Sequence, residues 1–386
     1  VLRANAVEWD ESSDATLLLA EVEPLAAPAP PGLAWADLDA AAGELVEPRQ
    51  TRGAVLRWID ERDGGWSPLR PPWSRPGWAT RAGTWMQERM AANGYADPGP
   101  VALVQLWGLS VVLSADSARG RAFFKSSSGL FRHEAALTAR LAELTPELVP
   151  EVLAVDEDAG WLLMADLGGT ETGERGAPEW AAGLTAHAAL QQAWEGRTAT
   201  LLAAGAPSRP LDELADWVRA AHQDDGLMGR LGPDLREAWD AATPTFADSC
   251  RRLAEIGPEP TLVHGDLHPW NVSVGPGGVR VFDWTDGAVS HPFVDLVTYV
   301  PRIPDEASRR ALLDGYLARW RDHLGPDELA RAGELALVAG SLYQVRTYRT
   351  LLPMLLPDDQ GSMRDGDVSW VRRSLRRLES GLAGRY

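Results

Sequence analysis

In the stretch LVHGDLHPWNVSV, residues 262–274, two apolar residues run into His264, Asp266, His268 and Asn271 before the chain returns to the alternation Val272-Ser273-Val274. Asp266 and Asn271 stand 5 residues apart, and Asp283, in VFDWTDG, lies 17 beyond Asp266, past a turn at GPGG (275–278). A tight loop followed by a hairpin brings these three side chains to one end of a single pair of strands. Asn271 and Asp283 then offer hard oxygen donors of the kind Mg²⁺ takes. Asp266 is left as an acceptor for a hydroxyl proton. A Mg²⁺ site of this kind calls for a phosphate donor, and the donor for a cation. Lys125 closes the apolar run RAFFK, and Glu134 follows 9 residues later in a helical stretch. A strand lysine paired with a glutamate on the next helix is held over the phosphates of a nucleotide.

Each of these residues has a plainer reading. Asp and Asn cap helices and close turns, but three of them in this register rarely arise from capping alone. Lys125 could end its strand in solvent, and Glu134 could sit on a solvated helix face. His268 could be a hydrogen-bonding strut. His264 and His268 have no third His or Cys nearby at ligand spacing, so a zinc site is set aside.

The elements that must position these groups are legible around them. Strands are expected at 101–107, 109–115 and 120–126, with DSARG as the turn between the last two. An amphipathic helix follows at 130–144, and a hairpin around DEDAG fills 149–168. A helix is expected at 78–94, ended by Asn93-Gly94, after the Pro- and Trp-rich linker GGWSPLRPPWSRPG (64–77). Helical periodicity governs 180–256 and everything after 292. Nearer the start, ATLLLAEVEPLAA (15–27) opens with a strand-like run, APAPPG breaks it, and helical pieces are expected within 32–45 and 54–65.

The 386 residues are too many for one ordinary core and suggest two or three compact units. With 37 basic and 55 acidic residues the formal charge is −18, which disfavours nucleic acid and anionic membranes. The same charge favours a cationic ligand, or serves solubility alone. No run approaches the ~18 apolar residues of a membrane span. The single Cys250 fits a reducing compartment, and with no signal-peptide pattern a cytoplasmic location is expected. Most of the 17 tryptophans are expected to pack.

HGDLHPWN and FDW together resemble the aminoglycoside phosphotransferase family, small-molecule phosphotransferases with a protein-kinase-like fold, whose motif is H-G-D-x-x-x-x-N followed by a strand-end aspartate. The resemblance covers roughly residues 80–386. It implies an α+β, bilobal fold: an antiparallel N-lobe sheet with a helix, a mainly helical C-lobe, and here an extra N-terminal segment. The units would be a cap-like segment with its linker at 1–75, a nucleotide-binding N-lobe at 76–168, and a helical C-lobe at 169–386 carrying the catalytic loop and acceptor site. It further implies Asp266 as catalytic base, Asn271 and Asp283 on Mg²⁺, Lys125 on the phosphates of ATP, and Glu134 holding Lys125. The segment LLMADLG (162–168) would be the hinge, with Met164, Ala165 and Leu167 around adenine. His264 would support the loop and Asp295 would brace it from a helix.

Two departures matter. The first turn, LWGLS (106–110), has one glycine where kinases have several, which leaves phosphate contact to backbone amides and Ser110. Thr285 follows Asp283-Trp284 where protein kinases have glycine, which favours the small-molecule branch. On the acceptor side the candidates are His268, Asp286, and Gln344 with Tyr348, which share a helix face at i, i+4. The acidic balance and Asp286 favour an aminosugar, aminoglycoside or amino alcohol as the hydroxyl acceptor. A neutral-sugar kinase, such as a maltose kinase-like enzyme, and a non-catalytic nucleotide-binding module are the alternatives. GLAWADLDAAAGEL faintly resembles the tail of a Nudix hydrolase domain, but the glutamate-rich box is absent, so residues 1–75 are expected to cover the N-lobe.

Overall fold

The computed structural model describes residues 3–10, 15–21, 56, 59–61 and 63–380. The first elements are an antiparallel pair, β1 (Arg3–Asp10) and β2 (Ala15–Glu21). β2 is the strand-like run of the sequence. The helical piece expected within 32–45 lies outside the described residues; of the one within 54–65, residues 56, 59–61 and 63–64 are helical. The linker is ordered. Trp73 and Ser74 are buried in a 3-10 turn, Pro72–Ser74, and the buried Arg70 guanidinium donates twice to the Ser74 carbonyl (3.1 and 2.9 Å).

The N-lobe is a five-stranded antiparallel sheet in the order β3-β4-β5-β7-β6, with β3 at Ala102–Leu106, β4 at Ser110–Ser117, β5 at Gly120–Ser127, β6 at Val152–Asp156 and β7 at Trp161–Ala165. Helix α1 (Trp78–Ala92) turns Trp78, Ala82, Met86 and Met90 onto one face of it, the i, i+4 stripe of an amphipathic helix. Phe124 of β5 meets Trp78, Trp85 and Trp161 edge-on at 5.6–6.0 Å. Several tryptophans are thus spent on packing, as expected. Helix α2 (His133–Leu144) starts three residues later than the sequence suggests, because Gly129–Phe131 form a 3-10 turn first. Glu134 is therefore in the first turn of α2, close to the end of β5.

The C-lobe is helical. Its main helices are α3 (Ala177–Ala193), α4 (Leu211–Ala220), α5 (Pro233–Ile256), α6 (Glu306–Ala318), α7 (Pro326–Leu351) and α8 (Gly366–Ser380). Trp194, Trp239, Trp284 and Trp320 are fully buried in its core. Two small antiparallel sheets sit against the helices. One joins β8 (Thr170–Glu171), β10 (Val272–Gly275) and β11 (Gly278–Val281); the other pairs β9 (Thr261–Val263) with β12 (Ala288–Ser290). β12 is three residues long and escapes sequence periodicity. A third, smaller apolar cluster spans the lobes: Leu109 and Phe131 of the N-lobe pack on Leu351 and Leu355 at the end of α7. Beside it, Gly108 lies so close to Asp359 that a Cβ there would approach to 2.8 Å. Among the described residues no helix is long and apolar enough to cross a membrane.

Candidate active site

The polar loop between β9 and β10 is pinned from several sides. Asp295, in the 3-10 turn Pro292–Asp295, accepts from the amides of His264 and Gly265, both at 2.8 Å. Two α3 side chains one helical turn apart hold Asp295 in turn: His187 at 2.8 Å and Gln191 at 3.3 Å. Gln344 of α7 donates to the Gly265 carbonyl at 2.6 Å. Gly265 has φ +80°, and a Cβ there would lie 2.4 Å from the Asp286 carbonyl oxygen, so both conformation and space demand glycine. The His264 ring, packed on Trp284 and 2.9 Å from the Phe282 carbonyl, has its pKa pushed down to about 4 by burial. It is a neutral strut at physiological pH.

On this frame the three motif side chains converge. Asn271 donates its amide nitrogen to the Asp266 carbonyl at 3.1 Å, which leaves its oxygen as the free donor atom. Asp283 follows β11 in the left-handed region, φ +67°, tolerated best by Asp and Asn among side-chain-bearing residues. Lys125 donates to Asp283 (2.7 Å), Glu134 (2.7 Å) and the Thr285 hydroxyl (2.8 Å). The Thr285 hydroxyl in turn donates to Asp283 at 2.5 Å, and Ser127 donates to the other Glu134 oxygen at 2.5 Å. Burial works against charge here; it loses at Lys125 and Asp283 but wins at Glu134, whose pKa it raises despite Lys125. Asp283 and Glu134 hold the Lys125 ammonium well above its ordinary value, and Lys125 holds Asp283 well below the carboxylate range.

Asp266 is different. It makes no ion pair with Lys or Arg among the described residues, and its side chain is 52% exposed to an open concavity. Desolvation by the surrounding walls, with Asp283 and Asp295 adding repulsion and Arg302 opposing it, pushes its pKa up to about 6. Water entering from the cavity screens part of that rise. His268 stands 3.8 Å from Asp266, its pKa lowered by burial and by Arg302, so the contact is not an ion pair at neutral pH.

One cavity is lined by this loop's Asp266 and another by Asp283. The second, of about 300 Å³ between the lobes, is also lined by Ser110, Lys125, Glu134, Met164, Ala165 and Leu167, the full expected nucleotide set. At the hinge the amides of Ala165 and Asp166 are already spent on the carbonyls of Glu151 and Arg121. The Leu167 amide has no partner among the described residues. The Ser110 hydroxyl accepts from the Trp107 indole at 2.7 Å. The other cavity, of about 640 Å³, is lined by Asp266, Gln344 and Tyr348. Tyr348 needs Gly366 beside it, since a Cβ there would come within 2.1 Å of the ring.

Two of the acceptor-side candidates, His268 and Asp286, line neither cavity. Asp286 is folded beneath Gly265 with one carboxylate oxygen buried and unpartnered, and desolvation and Asp266 push its pKa up to about 7. Gln344 reaches the cavity but spends its amide nitrogen on the loop. Sequence reading missed Thr285, Ser127, His187 and Gln191. For the last two the signal was present, as two polar residues at i, i+4 inside an apolar helix. It also missed that four arginines, Arg302, Arg373, Arg376 and Arg377, line the larger cavity, where a cationic acceptor had been expected.

Comparison with known proteins agrees with this geometry. The model of the phosphotransferase enzyme family matches residues 110–333, more than half of the chain. Among solved structures, a choline/ethanolamine kinase family protein from Mesorhizobium loti aligns over 78% of this chain and 94% of its own, at 16% identity and TM-score 0.54. A macrolide 2'-phosphotransferase from Brachybacterium faecium aligns over 77% and 98%, at 18% identity and TM-score 0.51. The GDP and kanamycin complex of APH(2")-IIia aligns over 77% and 96%, at 17% identity and TM-score 0.51. No curated protein matches the chain. A sheet-based N-lobe over a helical C-lobe, with HGD and FDW motifs at the cleft, defines a kinase-like small-molecule phosphotransferase. The chain belongs to the phosphotransferase enzyme family.

Proposed function

We propose that the protein is a small-molecule O-kinase that transfers the γ-phosphoryl group of Mg·ATP to a hydroxyl of its acceptor. One observation carries this reading: Asp266 lines the larger cavity while Lys125 and Asp283 line the smaller one. A base for the acceptor and the charge for the donor therefore face neighbouring cavities, near enough for Asp283 to repel Asp266.

Asp266 orients the acceptor hydroxyl and takes its proton as the new O–P bond forms and the bond to the leaving diphosphate breaks. With a pKa of about 6 it is ionised at neutral pH yet close enough to that pH to accept a proton. Lys125, charged and held by Glu134, is positioned for the phosphates. The Leu167 amide is the free hinge donor for the purine. The GDP bound by one structural relative supports a purine nucleotide in this role.

The donor chemistry fits a divalent cation. Asp283 is a firm carboxylate with one oxygen outside its Lys125 pairing, and the Asn271 amide is fixed with its oxygen free. Among the described residues no group of three or more His, Cys, Asp or Glu is arranged to hold a metal unaided. Asn271 and Asp283 would hold Mg²⁺ with phosphate and water completing its shell, as Mg²⁺ prefers. When bound, it supplies neutralisation of charge on the transferred group. We assign residues 76–168 to the nucleotide-binding lobe, 169–386 to the helical lobe, and 1–75 to a cap-like segment.

Asp266→Asn tests the reading. Nucleotide affinity, read by titration, should stay near wild type, while turnover falls by about 10²–10⁴-fold. Near-normal turnover in that variant would remove Asp266 as the base. Nucleotide binding without transfer to any hydroxyl acceptor in the wild type would favour a binding module instead.

A further inference from the structure

The larger cavity has a cationic wall that the transfer chemistry does not use. Ser369, Trp370, Arg373 and Arg377 stand at i, i+1, i+4 and i+8 of α8, so one helical face looks into the cavity. Such a face would ordinarily be apolar, but this one brings arginines, and Arg302 adds another from the turn after Tyr299. No carboxylate lies within ion-pairing distance of Arg302 or Arg373 among the described residues. Asp365, the other carboxylate on this wall besides Asp266, is tied to Arg230 at 3.0 Å. The Arg373 guanidinium carbon sits over the Trp370 ring, 4.4 Å from its centroid, a cation–π contact that holds it on this wall. Burial, Arg302 and Arg376 together lower its pKa, the mark of like charges gathered in a concavity.

A plain solvated helix face would scatter such charges outward. Here they converge beside the base of a chain whose formal charge is −18, against its average. They are not a second phosphate grip for the nucleotide, because none of the four lines the nucleotide cavity. The Arg302 and Arg373 guanidinium groups, planar, always charged and without a carboxylate in ion-pairing distance among the described residues, match the bidentate geometry of phosphate and carboxylate oxygens. Resting on the kinase reading above, we infer that the hydroxyl acceptor carries an anionic group, phosphate or carboxylate, which Arg302 and Arg373 receive while its hydroxyl faces Asp266. The acceptor is thus a sugar phosphate or hydroxy acid, not an aminosugar.

The test is a matched series of glucose, glucosamine, glucuronate and glucose 1-phosphate. Binding is read by calorimetry on the full chain and on an Arg302→Gln/Arg373→Gln variant, and phosphoryl transfer is followed in parallel. One of the two anions should bind about 10–100-fold tighter than glucose, with glucosamine weakest, and the double variant should erase the difference. Which anion wins separates a phosphate from a carboxylate ligand. Both arginines are exposed and off the nucleotide cavity, so unchanged nucleotide binding certifies the fold of the variant. Equal or tighter binding of glucosamine, no binding of either anion, or a preference that survives the double variant overturns the inference. Anion binding that depends on the arginines, with no transfer to any of the four compounds, leaves it standing and counts against the kinase reading instead. Transfer to glucose or glucosamine without anion preference does the reverse.

Discussion

At the scale of single residues, the chemistry rests on two carboxylates with opposite environments. Asp283 is held ionised by Lys125, whereas Asp266 faces the cavity with a pKa raised to about 6. A base works only when deprotonated, so kcat/KM should fall as pH drops through about 6 and level off above it. Asp286 titrates near it and the two repel, so apparent values belong to the pair. Asp286, the weaker acid of the two, is mostly protonated where Asp266 titrates, so Asp286→Asn should leave the acid limb of the pH–rate profile nearly in place. A limb that moved by about a pH unit or more would mean that Asp286, not Asp266, governs the profile. Lys125→Met leaves Asp283 and Glu134 facing each other without a cation. Titration should give nucleotide affinity reduced about 10–100-fold, and melting should read a loss of about 1–3 kcal/mol, tempered by the partial exposure of Asp283. The motif residues were legible because their spacing is fixed by local turns. Asp286 and His268 were not, since which way a loop side chain points is set by contacts such as the one between Asp286 and Gly265.

At the scale of elements, the frame was readable wherever a period repeats often enough. The alternation of β4 and β5 and the stripe of α1 are long enough to see. β9 and β12 are three residues each, too short for any period, yet they hold the start of the catalytic loop. The face of α8 was readable as RRSLRR, but whether a basic face meets solvent or a cavity depends on packing far away in sequence. The loop itself depends on one backbone position. Gly265→Ala adds a Cβ against the Asp286 carbonyl at a positive φ, so the backbone must shift and carry Asp266 with it. Melting should read a loss of about 1–3 kcal/mol, with kcat falling more than nucleotide affinity. If kcat and stability stay at wild-type values, the loop is less constrained than the geometry requires.

At the scale of the molecule, the large helical core reaches into the N-lobe through Leu137, Leu141 and Val149, and the small cluster of Leu109, Phe131, Leu351 and Leu355 adds a second tie between the lobes. Leu355→Ala should lower stability by about 2–5 kcal/mol by opening a cavity at this tie. Because the tie sits beside Ser110, the KM for nucleotide should rise in the same variant, whereas an ordinary core truncation elsewhere would lower the melting temperature alone. The tie has a further consequence. The turn at 106–110, beside the proposed nucleotide cavity, and the chain that leads from α7 into α8 are fastened together, with Gly108 backed against Asp359. Ligands seated on the two sides of such a fastening are thermodynamically linked. If the nucleotide draws the turn inward and so changes the acceptor's affinity, by reciprocity the acceptor must change the nucleotide's affinity by the same factor.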